Sequence, residues 1–282
     1  MKKTTTPADA PTTAIGTSTT DDVFVRGKSL CNELIGHLTF TEMIFFQALG
    51  RVPAAAQTRI IDACLVTLLE HGLTPSVLAA RLVYSNAPEA LQGAVAAGLL
   101  AVGSVFVGTT EGCGQLLQRL VEAGGDLDAH ARRIAEEHRD ARKPVPGFGH
   151  PQHKPDDPRS IRLLALARSE RVAGPHVAAV EALGRAVDAV AGRHITLNAT
   201  GAVAALLGDC GVPGEILRGF AVIARCAGLV GHVREEQQRP AMRAIWEAAE
   251  RAVPYVPARQ DAADPVLVSE PQPSSPTEEE ES

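Results

Sequence analysis

The stretch Pro146-Gly147-Phe148-Gly149-His150-Pro151-Gln152-His153-Lys154-Pro155-Asp156-Asp157-Pro158-Arg159 says more about this chain than any other. Gly147 and Gly149 permit positive φ and let the backbone approach a ligand closely. Pro151, Pro155 and Pro158 keep the stretch out of helix until a new one starts near Arg159. The product is a rigid loop between helices that displays an imidazole, His150, and a guanidinium, Arg159. Those two groups suit polarising a carbonyl and gripping a carboxylate.

On both sides of this loop helical periodicity dominates. Ile60, Ile61, Cys64, Leu65, Leu68 and Leu69 form one stripe that stops at His71-Gly72, with glycine as the stop signal. Further helices are expected over 75–84, from Pro88 to Val107, over 111–123 and 126–141, from Pro158, from Pro175, and over 199–207 and 215–233. Only 23–25 reads as a strand. The class is all-α. Residues 1–22, rich in Thr, Ala and Pro, and 259–282, ending in a glutamate run, are expected to be disordered tails. That leaves 23–258 as the catalytic domain.

Composition narrows the function. The chain has 282 residues, enough for an ample core, and is 45% hydrophobic but only 4% aromatic, which favours close-packed helices. A net charge of -6, from 27 Lys+Arg against 33 Asp+Glu, gives no basic footprint for nucleic acid. The five cysteines are scattered and lack a CxxC, which reads as reduced thiols rather than a disulfide framework or a zinc site. The N-terminus lacks an apolar signal core, and the uncharged run 93–107 is short for a span of roughly 20 residues. A cytoplasmic protein with no membrane segment is expected.

Individual residues then suggest chemistry. His150 titrates near neutrality and can take a hydroxyl proton or polarise a ketone; satisfying loop backbone groups is the competing role. Arg159 and Arg225 are candidate carboxylate clamps. Arg225 interrupts an apolar run of Phe220, Val222, Ile223, Leu229 and Val230, where a buried guanidinium needs an anionic partner. Arg159 competes with a solvent-facing role in a first helical turn. His71 either donates to substrate or meets the free carbonyls of its helix end. Lys154 suits a phosphate, and His232 and Arg239 are weaker candidates. His130 and His138 fall on a polar helix and read as surface groups. His150 and His153 have a loose metal spacing, but prolines surround them and no carboxylate ligand pattern follows, so no metal is expected.

These residues resemble the citrate synthase superfamily over 24–255, with most similarity to citryl-CoA lyase and the citrate-synthase-like module of ATP-citrate lyase. Gly147-Phe148-Gly149-His150 with Asp157-Pro158-Arg159 is similar to the family's GxGH…DPR motif. His71-Gly72, the stretch 103–111, Leu197-Asn198-Ala199-Thr200-Gly201 (LNVDG in the family), Arg225 and Gly231-His232 match in order. The resemblance implies an all-α homodimer with a large helical domain and a smaller mobile one. It implies a CoA thioester and a di- or tricarboxylate as substrates, with no permanently bound cofactor. By the same resemblance His150 and Thr200 stand at catalytic positions, His71, Arg159 and Arg225 at substrate-binding ones, and Gly147, Gly149 and Lys154 at the CoA.

Two departures matter. Where family synthases carry a catalytic histidine this chain has Phe106, as the lyase module does. Where the family has a catalytic Asp this chain has Thr200, whose hydroxyl is no base without activation. Glu111 and Asp209 lie near the matching motifs, but nothing in the sequence promotes either to that role. No Walker loop, phosphohistidine segment or ATP-grasp region is present, so no ATP-driven activation of citrate is expected. The expected reaction is retro-aldol cleavage of citryl-CoA, or of a relative such as citramalyl-CoA, to acetyl-CoA and a 2-oxo acid. The alternatives are a citrate or 2-methylcitrate synthase, and an impaired homologue that binds CoA or a dicarboxylate.

Overall fold

The computed structural model describes residues 11–103, 105 and 108–257. Phe106 and the C-terminal tail 259–282 fall outside the described residues. The N-terminal segment differs from expectation: β1 (Gly16–Ser18), β2 (Val23–Val25) and β3 (Lys28–Ser29) make a small antiparallel sheet in the order β1-β2-β3. Thr17 pairs with Phe24, and Phe24 with Ser29. Strands of two or three residues are too short to show an alternating pattern. The expected tail therefore carries a strand within 11–22. The Asp22 carboxylate organises the meander, accepting the amides of Val23 and Cys31 and the hydroxyl of Ser29.

Helices make up the rest, from α1 (Phe40–Leu49), α2 (Ala55–Leu69), α3 (Pro75–Asn86) and α4 (Leu91–Leu100) to α5 (Thr109–Ala123) and α6 (Leu127–Asp140). After the His150 loop come α7 (Pro158–Ser169), α8 (Pro175–Ala191), α9 (Ala199–Asp209), α10 (Leu217–Gln238) and α11 (Met242–Ala252). Local chemistry sets their starts. Thr39 and Glu42 form a reciprocal capping box on α1, Asp126, Asp157 and Asn198 cap α6, α7 and α9, and proline opens α3, α7 and α8. The small-residue helix α4 stops at Leu100, short of the expected Val107.

The main core forms around α9, whose residues Ala202–Leu207 are all buried, with side chains from α2, α5, α7 and α8 packed on it. A second, smaller core joins Val77 and Ala80 of α3, Ala94 and Val95 of α4, and Leu229 and Val233 of α10. By length and composition α10 could cross a membrane. Its buried Phe220, Ala221, Leu229 and Val233, together with buried Arg225 and Glu236, make it a core helix instead. The chain through Ala241 is one compact unit; α11 belongs to a second that begins at Met242.

Candidate active site

Three connections hold the His150 loop in place. Gly147 sits at φ +88°, and a Cβ there would lie 2.6 Å from Cys113 Sγ and 2.9 Å from Gly201 Cα, so only glycine fits. Backbone bonds run from Gly149 N to Thr196 O (2.7 Å) and from Asn198 N to Gly147 O (3.0 Å). Asn198 also donates from Nδ2 to Gly149 O (2.9 Å), while its Oδ1 accepts the amide of Gly201. The N-terminus of α9 and the loop are thus one unit. The far side is tied by His194, set between Asp188 of α8 (2.7 Å) and Asp156 (3.0 Å). Hydrogen bonds to Asp188 and then Asp156 push its basicity up.

The geometry fixes the tautomer of His150. Its Nδ1 accepts the amides of Gln152 (3.1 Å) and His153 (2.9 Å). A neutral imidazole that accepts at Nδ1 carries its proton on Nε2. Burial, then the charge of His153, lowers the basicity of His150, which favours that neutral form. Nε2 lies 3.3 Å from Arg159 Nη2. A guanidinium can only donate, so this long contact alone would make Nε2 an acceptor; the two shorter amide bonds at Nδ1 outweigh it and place the ring proton on Nε2, which leaves two N–H groups facing each other that an acceptor oxygen between them would relieve. Of the two roles the sequence allows His150, polarising a carbonyl oxygen fits this protonation.

Arg159 is less free than a lone clamp. The fully buried carboxylate of Asp157 takes its Nε at Oδ1 (3.0 Å) and its Nη2 at Oδ2 (2.8 Å), and Oδ2 also accepts the amide of Ala199 (3.1 Å). Burial works against the charge of Asp157, but Arg159 and these amides outweigh it and hold its carboxyl below the ordinary range. One edge of the guanidinium is therefore committed; Nη1 points to His71, 3.5 Å from its Nδ1.

His71 follows the end of α2. Glu70 takes its amide (2.8 Å) and that of Gly72 with one carboxylate oxygen, and His232 Nε2 lies 2.7 Å from the other. The rings of His71 and His150 meet edge-on at 5.7 Å, and His150 stacks on His153 at 4.4 Å. Burial, then the charges of Arg159 and Arg225, lowers the basicity of His71. Arg225 is 6% exposed, and its Nε and Nη1 make no hydrogen bond among the described residues. Burial depresses its basicity, offset in part by Glu70. An unpaired buried guanidinium is costly unless a ligand completes it.

So the structure brings together His71, His150, Arg159 and Arg225. Thr200 is engaged differently: its hydroxyl donates to Asn198 Oδ1 (2.6 Å) and meets Thr109 Oγ1 at 2.9 Å. Its proton is committed to a neutral amide, which gives no activation. Asp209 braces the start of α8, accepting the amides of Gly174, His176 and Val177, and Glu111 pairs with Arg218. Neither stands in for a family Asp. His138 bonds back to Ile134 O in its own helix.

Lys154 lines a cleft of about 520 Å³ together with His150, Arg193 and His194, with Phe148 and Val187 as apolar wall. Arg193 went unnoticed in the sequence; its only signal is its position just past the glycine that ends α8. Asp157 was visible only as part of the DPR motif. His150, His153 and Asp157 also lie close enough to suggest a metal site. His150 Nδ1 already accepts two amides and Asp157 is held by Arg159, whose guanidinium among them opposes a cation.

Residues 24–246 match the family model described as citrate synthase, C-terminal domain. A citrate synthase from Acidithiobacillus ferridurans is 27% identical over 199 residues, covering 66% of this chain and 49% of that protein. The chain spans about half the length of these curated relatives. Citryl-CoA lyase from Hydrogenobacter thermophilus superposes with a TM-score of 0.79 at 32% identity, over 88% of this chain and 94% of that one. Methanosaeta concilii ATP citrate lyase in complex with (3S)-citryl-CoA shares the fold, with a TM-score of 0.73 at 19% identity over 92% of this chain and 43% of that one.

Proposed function

The chain belongs to the citrate synthase family, and on that premise we propose that it is a carbon–carbon lyase of the citryl-CoA lyase kind. The observation that carries this reading is the likeness to citryl-CoA lyase, at 32% identity and a TM-score of 0.79 over 94% of that chain. Phe106, which stands where the family's synthases carry a catalytic histidine and where the lyase module has Phe, supports it.

The site divides the work of a retro-aldol cleavage. Arg225, with two unpaired buried nitrogens, takes a substrate carboxylate, and the uncommitted edge of Arg159 with His71 takes another. The tertiary oxygen sits where His150 Nε2–H and Arg159 Nη2–H converge. As that oxygen gives its proton to solvent water in the open cleft and becomes a carbonyl, the electron pair of the breaking carbon–carbon bond passes to the thioester α-carbon. Solvent water then returns a proton to the α-carbon of the enolate, giving acetyl-CoA and the 2-oxo acid with no net change in protons. Two fixed donors stabilise the oxygen most when it is most negative, which favours the transition state over the bound substrate. Lys154 and Arg193 supply cations for the CoA phosphates at the mouth of the cleft. Thr200 acts as a positioning residue, joining Thr109 to the Asn198 cap.

The experiment is incubation of purified protein with citryl-CoA and with citramalyl-CoA, without ATP, following release of acetyl-CoA. Turnover of either is expected. No turnover of both, beside robust condensation of acetyl-CoA with oxaloacetate, would make it a synthase, the name its curated relatives carry. A homodimer is part of the proposal, and sedimentation of the same preparation checks it.

A further inference from the structure

Arg225, Gly228, His232 and Glu236 follow one another along a single face of α10. The end of α2 lies directly on that face: a Cβ at Gly228 would stand 2.1 Å from Leu69 O. The next residue, Glu70, is thereby placed beside both Arg225 and His232. It bonds to His232 and to the amides of His71 and Gly72, while Arg225 feels it only as a nearby charge. A carboxylate so close to an unpaired buried guanidinium has an obvious alternative, which is to pair with it.

Arg81 prevents that. It is 2% exposed, reaches from α3 to α10, and is anchored by Glu236 (Nη1 to Oε2, 2.8 Å) and by Glu235. Its Nη2 lies 3.0 Å from His232 Nδ1. A guanidinium can only donate, so Nδ1 accepts and the His232 proton sits on Nε2. Nε2 then donates to Glu70 Oε2 at 2.7 Å. We propose that Arg81 and His232 are positioning residues that hold Glu70 away from Arg225, keeping the carboxylate receptor open while Glu70 fixes the turn that presents His71. The inference rests on reading Arg225 as the substrate-carboxylate site.

Citrate binding measured by calorimetry tests it, with melting curves as the check on folding. His232→Ala frees Glu70 and weakens citrate binding about tenfold or more, the worth of one hydrogen bond to a charged group. Adding Glu70→Gln to His232→Ala removes the competing charge and restores the dissociation constant to within about threefold of wild type. A merely structural role predicts the opposite, a double variant weaker than the single. Arg81→Met is read by nitrogen NMR of His232: loss of the single Nε2–H tautomer is expected, and an unchanged spectrum overturns the role of Arg81. Unchanged citrate affinity in His232→Ala, or no rescue in the double variant, overturns the inference. Wild-type protein that binds no citrate overturns the reading of Arg225 itself, which separates the two failures.

Discussion

Arg159 is held by Asp157 through two parallel hydrogen bonds, Nε to Oδ1 and Nη2 to Oδ2, and Asp157 at the same time caps α7 and takes the amide of Ala199 on α9. One buried carboxylate thus fixes the Arg159 guanidinium and two helix starts. Loss of a helix cap costs about 1 kcal/mol, whereas removing one partner of a buried ion pair costs about 3 kcal/mol or more. Asp157→Ala is expected to destabilise by the larger amount in urea unfolding and to abolish turnover. A cost near that of a cap, with activity kept, would mean Arg159 does not depend on Asp157.

Arg225 should separate stability from function. Its guanidinium is buried and unpaired, so replacing it with an apolar side chain of similar length relieves a cost. Arg225→Met is expected to melt at or above the wild-type temperature while KM for the thioester rises about thirtyfold or more. A variant that melts well below wild type would show that Arg225 has a partner within the protein.

Thr200 tests whether the missing carboxylate is an impairment. Its hydroxyl donates to Asn198 Oδ1, an acceptor that also receives the Gly201 amide. In Thr200→Asp two acceptors face each other at the cap of α9. The variant is expected to lose about 1–2 kcal/mol of stability and to lose activity. A gain in cleavage or condensation on Thr200→Asp would instead mark the chain as an impaired homologue.

Two histidine environments give opposite pH dependence. His150 and His71 have lowered basicity, burial first, so they stay neutral until the pH falls below the ordinary value of 6.5. The acid limb of kcat/KM is expected below that value, since protonating His150 at Nδ1 breaks two amide bonds. His194 is raised by Asp188 and Asp156. Its contribution to stability is complete below the unfolded value and fades as pH rises through the folded one. The stability difference between wild type and His194→Ala should therefore be larger at about pH 6 than at about pH 8.5.

Much of this was legible in the sequence, and the residues show why. Helices announced themselves through periodicity and through proline starts at Pro75, Pro158 and Pro175. The GxGH…DPR spacing placed His150 and Arg159 on one loop, and an arginine in an apolar run exposed Arg225. What stayed hidden depends on contacts between distant segments. The β1 strand is too short for a period. Nothing local says that Gly201 must be glycine because Gly147 O would lie 2.6 Å from its Cβ. The tautomer of His150 follows from two amides in its own turn, and that of His232 from Arg81, which lies 151 positions away. Hydrogen-bond direction at His150 is a property of the folded loop.

The most direct measurement is the rate of citryl-CoA cleavage by wild-type protein and by His150→Ala under the same conditions. Acetyl-CoA should form with the wild type. The variant should lose turnover by about 10²–10³, the worth of one donor to a developing oxyanion. It should keep its affinity for citrate, which Arg225 and Arg159 hold. Equal rates for the two proteins, or no acetyl-CoA from a folded wild type, would contradict the assignment.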